Sequence, residues 1–204
     1  DQETVKTIQF NSYGTASQTT TQSGTYGSMA WSVQDGTLTI TGNGAMPDAS
    51  TSAPVPWGSL NVSKVVIGEG ITTIGKENFY NMNTITEVQF PSTLQKINEA
   101  AFYMCSGILK VNLPVATTTI EKGAFADCMS MTDFSAPGLT SIDNYALQRT
   151  KIKTFEIPKG VTTLPQNLLF GNTALTDIKV AAGNPAYVAV DGILYNADGS
   201  VLVL

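Results

Sequence analysis

Histidine is absent from all 204 residues. That removes the Ser-His-Asp and Cys-His nucleophile arrangements and the imidazole-ligated metal at once. Catalysis would have to run on carboxylates, lysine or tyrosine. Two carboxylates facing each other across a cleft can hydrolyse a glycoside. Here Glu69, Glu77, Glu87, Glu99, Glu121, Asp133, Glu156 and Asp177 fall one or two at a time at regular intervals, as solvated positions do. Asp35-Gly36, Asp191-Gly192 and Asp198-Gly199 each set one carboxylate beside a glycine. Calcium needs about six to eight oxygens, so these pairs read as turns. Trp31, Trp57, Tyr187 and Tyr195 are residues on which a sugar could stack, but all four lie in the cap segments 25–62 and 181–204, where aromatics that cover a core are expected. No catalytic residue, metal ligand or cofactor site is assigned.

Composition narrows the classes further. Charged residues make up 13% of the chain and the net charge is −5, with 11 basic side chains of which Arg149 is the single arginine. Nucleic-acid binding calls for a basic stripe that neutralises phosphates, and none is present. No run approaches the roughly 18 apolar residues of a membrane span. The start Asp1-Gln2-Glu3 is not a signal peptide, which reads as a chain already processed or lacking its export signal. Low charge with many Thr, Ser, Asn and Gly residues suits an exported bacterial protein better than a cytosolic enzyme.

The regular intervals are those of a repeat. Val65-Val66-Ile67, Val88-Gln89-Phe90, Val111-Asn112-Leu113, Phe134-Ser135-Ala136, Phe155-Glu156-Ile157 and Ile178-Lys179-Val180 align, and their third positions step by 23, 23, 23, 21 and 23. Three more apolar ladders keep nearly the same step: Ile74, Ile97, Ile120, Ile142, Leu164; Phe79, Phe102, Phe125, Leu147, Leu169; and Ile85, Ile108, Met131, Ile152, Leu175. Four ladders in one register identify a solenoid, in which each unit buries its apolar side only against its neighbours.

Each unit breaks down into three pieces. The Val-x-Phe type of triplet has the period of two of a strand with one face buried. Pro91, Pro114, Pro137 and Pro158 then end the strand, having no N–H to give. Ile71-Thr72-Thr73-Ile74, Thr118-Thr119-Ile120 and Val161-Thr162-Thr163-Leu164 predict a second short extended segment. The Ala101-Phe102, Ala124-Phe125 and Ala146-Leu147 steps predict a helical or 3₁₀ turn that drives a large side chain inward. Outside the repeats, residues 1–24 lack periodicity and read as a weakly ordered lead-in. Residues 25–62 read as a β cap with a hairpin at Asp35-Gly36, residues 63–180 as the repeats, and 181–204 as a three-strand meander cap whose last strand is Val201-Leu202-Val203-Leu204.

This unit resembles the BspA-type leucine-rich repeats. Val88-Gln89-Phe90-Pro91, Leu94-Gln95-Lys96-Ile97, Ala101-Phe102 and Cys105 carry the match, as do Leu113-Pro114, Ile120, Ala124-Phe125 and Cys128. The flanking Asp35-Gly36-Thr37-Leu38-Thr39-Ile40 and Asn184-Pro185 segments are similar too. Arg149-Thr150 and Gly171-Asn172 depart from the pattern where cysteine would stand, and the fourth unit is two residues short. The resemblance implies a right-handed, β-rich leucine-rich-repeat coil with short parallel strands and β caps at both ends. It also implies export to the bacterial surface, with adhesion to host proteins or other bacteria as the associated role. Cys105 and Cys128 hold one repeat position. Adjacent rungs about 4.8 Å apart fall within the roughly 4.4–6.8 Å that a disulfide spans, so a bridge is geometrically open. The family's use of cysteine here as a small buried filler implies two free thiols instead.

Inward Val88 and Phe90 put Glu87 and Gln89 outward. The same parity exposes Lys64 and Val66, Lys110 and Asn112, Asp133 and Ser135, Thr154 and Glu156, and Asp177 and Lys179. Six rungs predict a strip on the order of 25 Å long, mixed in charge and free of aromatics, which suits a polar protein partner such as a host or bacterial surface protein. An ordinary solvated sheet face has the same pattern. Three roles follow: a protein-binding adhesion module, a structural spacer, or a carbohydrate-binding accessory of a larger surface protein.

Overall fold

The computed structural model describes residues 2–10, 16–50, 52–191 and 193–200. Strands β1 (Gln2–Phe10), β2 (Ala16–Tyr26), β3 (Met29–Gln34) and β4 (Thr37–Thr41) form an antiparallel meander. The described residues of the 1–24 segment, read from sequence as a lead-in, lie in β1 and β2. Threonine-rich chain has β propensity, and the edge of β3 offers unpaired backbone for it to complete. Asp35 and Gly36 take φ values of +49° and +75° in the β3–β4 turn, as a two-residue hairpin turn requires. β4 then pairs parallel with β6 (Lys64–Ile67), so the meander continues into the first coil.

Each coil has three sides. The first carries β6, β8 (Glu87–Gln89), β10 (Lys110–Asn112), β12 (Asp133–Ser135), β14 (Thr154–Ile157) and β15 (Asp177–Val180). The second carries β5 (Gly44–Ala45), β7 (Ile71–Ile74), β9 (Lys96–Ile97), β11 (Thr119–Ile120) and β13 (Ser141–Ile142), joined in one unbroken sheet. No strand forms at Val161–Leu164, where one was expected. The amides of Asn98, Glu121 and Asp143 each donate to the preceding coil. Pro165 stands at that position and has no N–H, while the Leu164 amide goes to the Tyr187 hydroxyl at 3.0 Å.

The third side is built of i→i+3 turns, as the Ala-Phe steps predict, and it too is hydrogen-bonded from coil to coil. The amides of Glu77, Phe79 and Asn81 reach the carbonyls of Glu99, Ala101 and Tyr103, and the pattern repeats through Arg149 N to Phe170 O. Left-handed residues at both ends of the first four turns, such as Ala100 (φ +52°) and Met104 (φ +62°), aim these amides one way. Such conformations cost about 1–2 kcal/mol in a non-glycine residue, and the cross-coil hydrogen bonds offset that.

Inside, Trp57, Phe79, Phe102 and Phe125 are fully buried and stack along the axis, with ring centroids 6.0, 4.8 and 5.2 Å apart. Trp57, Trp31 and Tyr26 close the first coil edge-on. At the other end β16 (Tyr187–Val190) and β17 (Ile193–Asn196) pair antiparallel. The third expected strand, at 201–204, lies outside the described residues.

Candidate functional site

The strand side is not one continuous strip, as six equal rungs would be. Its ladder opens twice, leaving β4-β6-β8, β10-β12 and β14-β15 as separate pieces. A phenylalanine stands beside each opening, although Phe155, at the repeat position of Phe134, lies in the closed β14–β15 rung. Phe90 ends the strand before the first, and Phe134 lies in the strand before the second. Each is only partly buried, with its ring edge-on to Phe102 or Phe125. The second opening also coincides with the unit two residues short. The other two sides hold the coils together.

Along the strand side Glu87, Gln89, Lys110, Asn112, Asp133, Ser135, Thr154, Glu156 and Lys179 are exposed, and Lys64, Val66 and Asp177 are partly so. Charges pair across the closed rungs: Lys64 with Glu87 at 2.9 Å and Lys110 with Asp133 at 4.0 Å. Lys64, with Gln89 adding a second hydrogen bond, holds the Glu87 carboxyl below the usual glutamate range. Lys179 pairs within its own strand with Asp177, at 3.7 Å. Among the described residues Glu156 and Lys153 have no ion-pair partner. Both line the second opening, a cleft of about 530 Å³ that Asp133, Ser135 and Lys179 also border. Two carboxylates share this cleft, but both are exposed.

The other chemistry weighed from sequence is dispersed. Trp31, Trp57 and Tyr187 are buried, so their faces are closed to sugars. Asp198 folds onto the Ser200 amide and hydroxyl at 2.9 and 2.6 Å, as a turn residue does. Among the described residues no cluster of three or more His, Cys, Asp or Glu side chains could hold a metal, and no helix is long and apolar enough to cross a membrane.

Two polar groups escaped the sequence reading. Asp127 is buried, bound in two places by Arg149 from the next coil, with Nη2 to Oδ2 at 2.9 Å. The same carboxylate holds the Tyr103 hydroxyl above the ordinary tyrosine range, tying three coils together. Asn78 is fully buried and joins the first coil to the cap. For Asn78 the signal available was a polar residue in a ladder whose other members, Ala101, Ala124, Ala146 and Leu168, are small or apolar, whereas Asp127 shares its ladder with Asn81 and Arg149 and gave no such signal.

Cys105 and Cys128 are free and buried, giving their thiols to the carbonyls of Phe79 at 2.9 Å and Phe102 at 3.3 Å. Burial pushes the Cys105 thiol up to about 12 and Cys128 well above its ordinary value. Thiolate is the reactive form. Ellman's reagent is therefore expected to find almost no thiol in the native chain and two after unfolding without reductant. None after unfolding would establish a disulfide.

A family model described as the BspA-type leucine-rich repeat region matches residues 57–176 in six copies. A leucine-rich repeat protein from Eubacterium ventriosum is 29% identical, with a TM-score of 0.72 over 86% of this chain and 49% of its own. A leucine-rich cell surface protein from Faecalibacterium prausnitzii is 24% identical, with a TM-score of 0.53 over 87% of this chain and 59% of its own. The pneumococcal vaccine antigen PcpA is 18% identical, with a TM-score of 0.62 over 86% of this chain and 54% of its own. The last two show likeness of fold alone. The chain spans about half the length of these solved structures. No curated protein matches the sequence.

Proposed function

Because the chain belongs to the BspA-type leucine-rich repeat family, we propose that it is a non-catalytic, extracellular module that binds a protein on a host or bacterial surface through its strand side. The supporting observation is the row of outward charges of alternating sign, Lys64, Glu87, Lys110 and Asp133, continued by unpaired Glu156. A repeated rigid face of this kind suits an extended partner. The charges steer encounter and reject wrong partners.

The test replaces Glu87, Lys110, Asp133 and Glu156 together by serine. Capture of proteins from a solubilised host extracellular-matrix preparation is expected to fall at least tenfold, with single changes mainly slowing association and weakening its salt dependence. Thermal unfolding should change little, because the four side chains are exposed. Undiminished capture by the folded quadruple variant would overturn the assignment of the face. Binding confined to a glycan array would overturn the protein-binding role.

A further inference from the structure

Resting on that reading of the strand side, we propose that the cleft between β12 and β14 is the place where the partner is read, and that what it takes is an extended polypeptide segment paired through its main chain. Parallel strands offer the backbone groups of alternate residues to opposite neighbours. The Ser135 carbonyl is taken by the Leu113 amide of the preceding coil, so the backbone groups of Phe134 face β14. On β14 the Lys153 and Ile157 carbonyls are taken by the following coil, so the groups of Thr154 and Glu156 face β12. No ladder joins the two strands, although the Lys151 amide still reaches the Met131 carbonyl at 2.9 Å just below them. Two facing strand edges are thus left with donors and acceptors open to the cleft. A bare strand edge takes another extended backbone by β-augmentation.

The side chains around the cleft narrow the partner. At one end lies a hollow of about 160 Å³, walled by Phe134, Pro137, Pro158 and Ala181 and lined also by Glu156 and Lys159. A cavity of roughly 150 Å³ holds a benzene-sized guest, so the hollow has the volume for one side chain whose apolar body meets the ring and the prolines. Along the walls Glu156 and Lys153 lack the cross-coil partners that Glu87 and Lys110 have. The complementary segment carries an apolar anchor with a basic residue on one side and an acidic residue on the other.

The probe is a phage-displayed library of random nine-residue peptides panned on the full chain, followed by synthetic copies of the enriched sequences. They are expected to show the charged–apolar–charged pattern. N-methylation of alternate amides should weaken them at least tenfold. Ser135→Trp, which fills the cleft from an exposed position, and Glu156→Lys, which reverses one wall, should each do the same. Lys122→Ser, exposed on the turn side, should leave binding unchanged. Failure to enrich any clone over the Ser135→Trp chain, or indifference to N-methylation, would overturn the proposal. Matrix capture that survives Ser135→Trp but is lost in the quadruple serine variant would sink the cleft and leave the wider face standing. Capture that survives both would remove the two together.

Discussion

Replacing Phe102 by alanine is expected to destabilise the chain by about 3–5 kcal/mol, the range for emptying a buried phenylalanine site. The ring has no exposed surface and lies between Phe79, at 4.8 Å and 10°, and Phe125, at 5.2 Å and 2°, with Phe90 edge-on at 6.0 Å. The cost of such a cavity depends on how far its walls can collapse. These walls are rings from the coils above and below, and the coil spacing is set by backbone hydrogen bonds. Phe79 N to Ala101 O and Phe102 N to Ala124 O are both 2.8 Å. The site therefore stays open, and the upper part of the range is expected. Urea unfolding measures it, with an unchanged slope marking a true loss of stability. Phe170→Ala, one position beyond the same ladder in the last coil and 61% exposed, is the control and should change little. A loss below about 1 kcal/mol at Phe102 would mean that the ring does not lie in the shared core.

The apolar ladders were legible because a period of 23 residues reports which side chains face inward, and inward residues must be large and apolar in every coil. Val65, Ile74, Phe79 and Ile85 in one coil and Val111, Ile120, Phe125 and Met131 in another are buried as that register requires. The candidate strand side was legible only as parity. Its division into three pieces depends on which backbone groups meet once the coils are stacked, which a hydrophobic pattern does not encode. Pro165 was visible as a proline, but its effect follows from which amide the preceding coil needs. Asp127 and Arg149 lie 22 residues apart in sequence, so their pairing shows only once the coils are stacked. Arg149 registers in the sequence merely as a departure from a cysteine ladder.

Asn78→Ala is expected to cost about 1–3 kcal/mol, although alanine is the residue that the coils themselves place there at Ala101, Ala124 and Ala146. Steric fit is therefore assured, and the loss comes from polar groups left behind. Asn78 is fully buried. Its Oδ1 accepts from the Gly75 amide at 3.0 Å, and its Nδ2 donates to the Pro47 carbonyl at 2.9 Å and the Tyr26 hydroxyl at 3.4 Å. Removing the side chain strands the Gly75 amide, at about 1–3 kcal/mol for a buried group left unsatisfied, while the Pro47 carbonyl keeps the Tyr26 hydroxyl at 3.2 Å. Its backbone carbonyl, which accepts from Trp57 Nε1 at 2.9 Å, survives the change, so Trp57 should remain in place and its fluorescence should stay native before the melt. Asn78→Asp separates hydrogen bonding from packing. The variant keeps the acceptor toward Gly75, but when ionised it sets a buried carboxylate against the Pro47 carbonyl. Burial and that carbonyl both favour the neutral acid, so the folded-state pKa lies above the unfolded one. The protonated variant is then the more stable, and stability should fall as pH rises from about 4 to 7. The unsubstituted chain lacks this group, so its melting curves over the same range set the baseline. A pH-independent difference between the two proteins, or an alanine variant as stable as the parent, would mean that the Asn78 amide does not join the cap to the first coil.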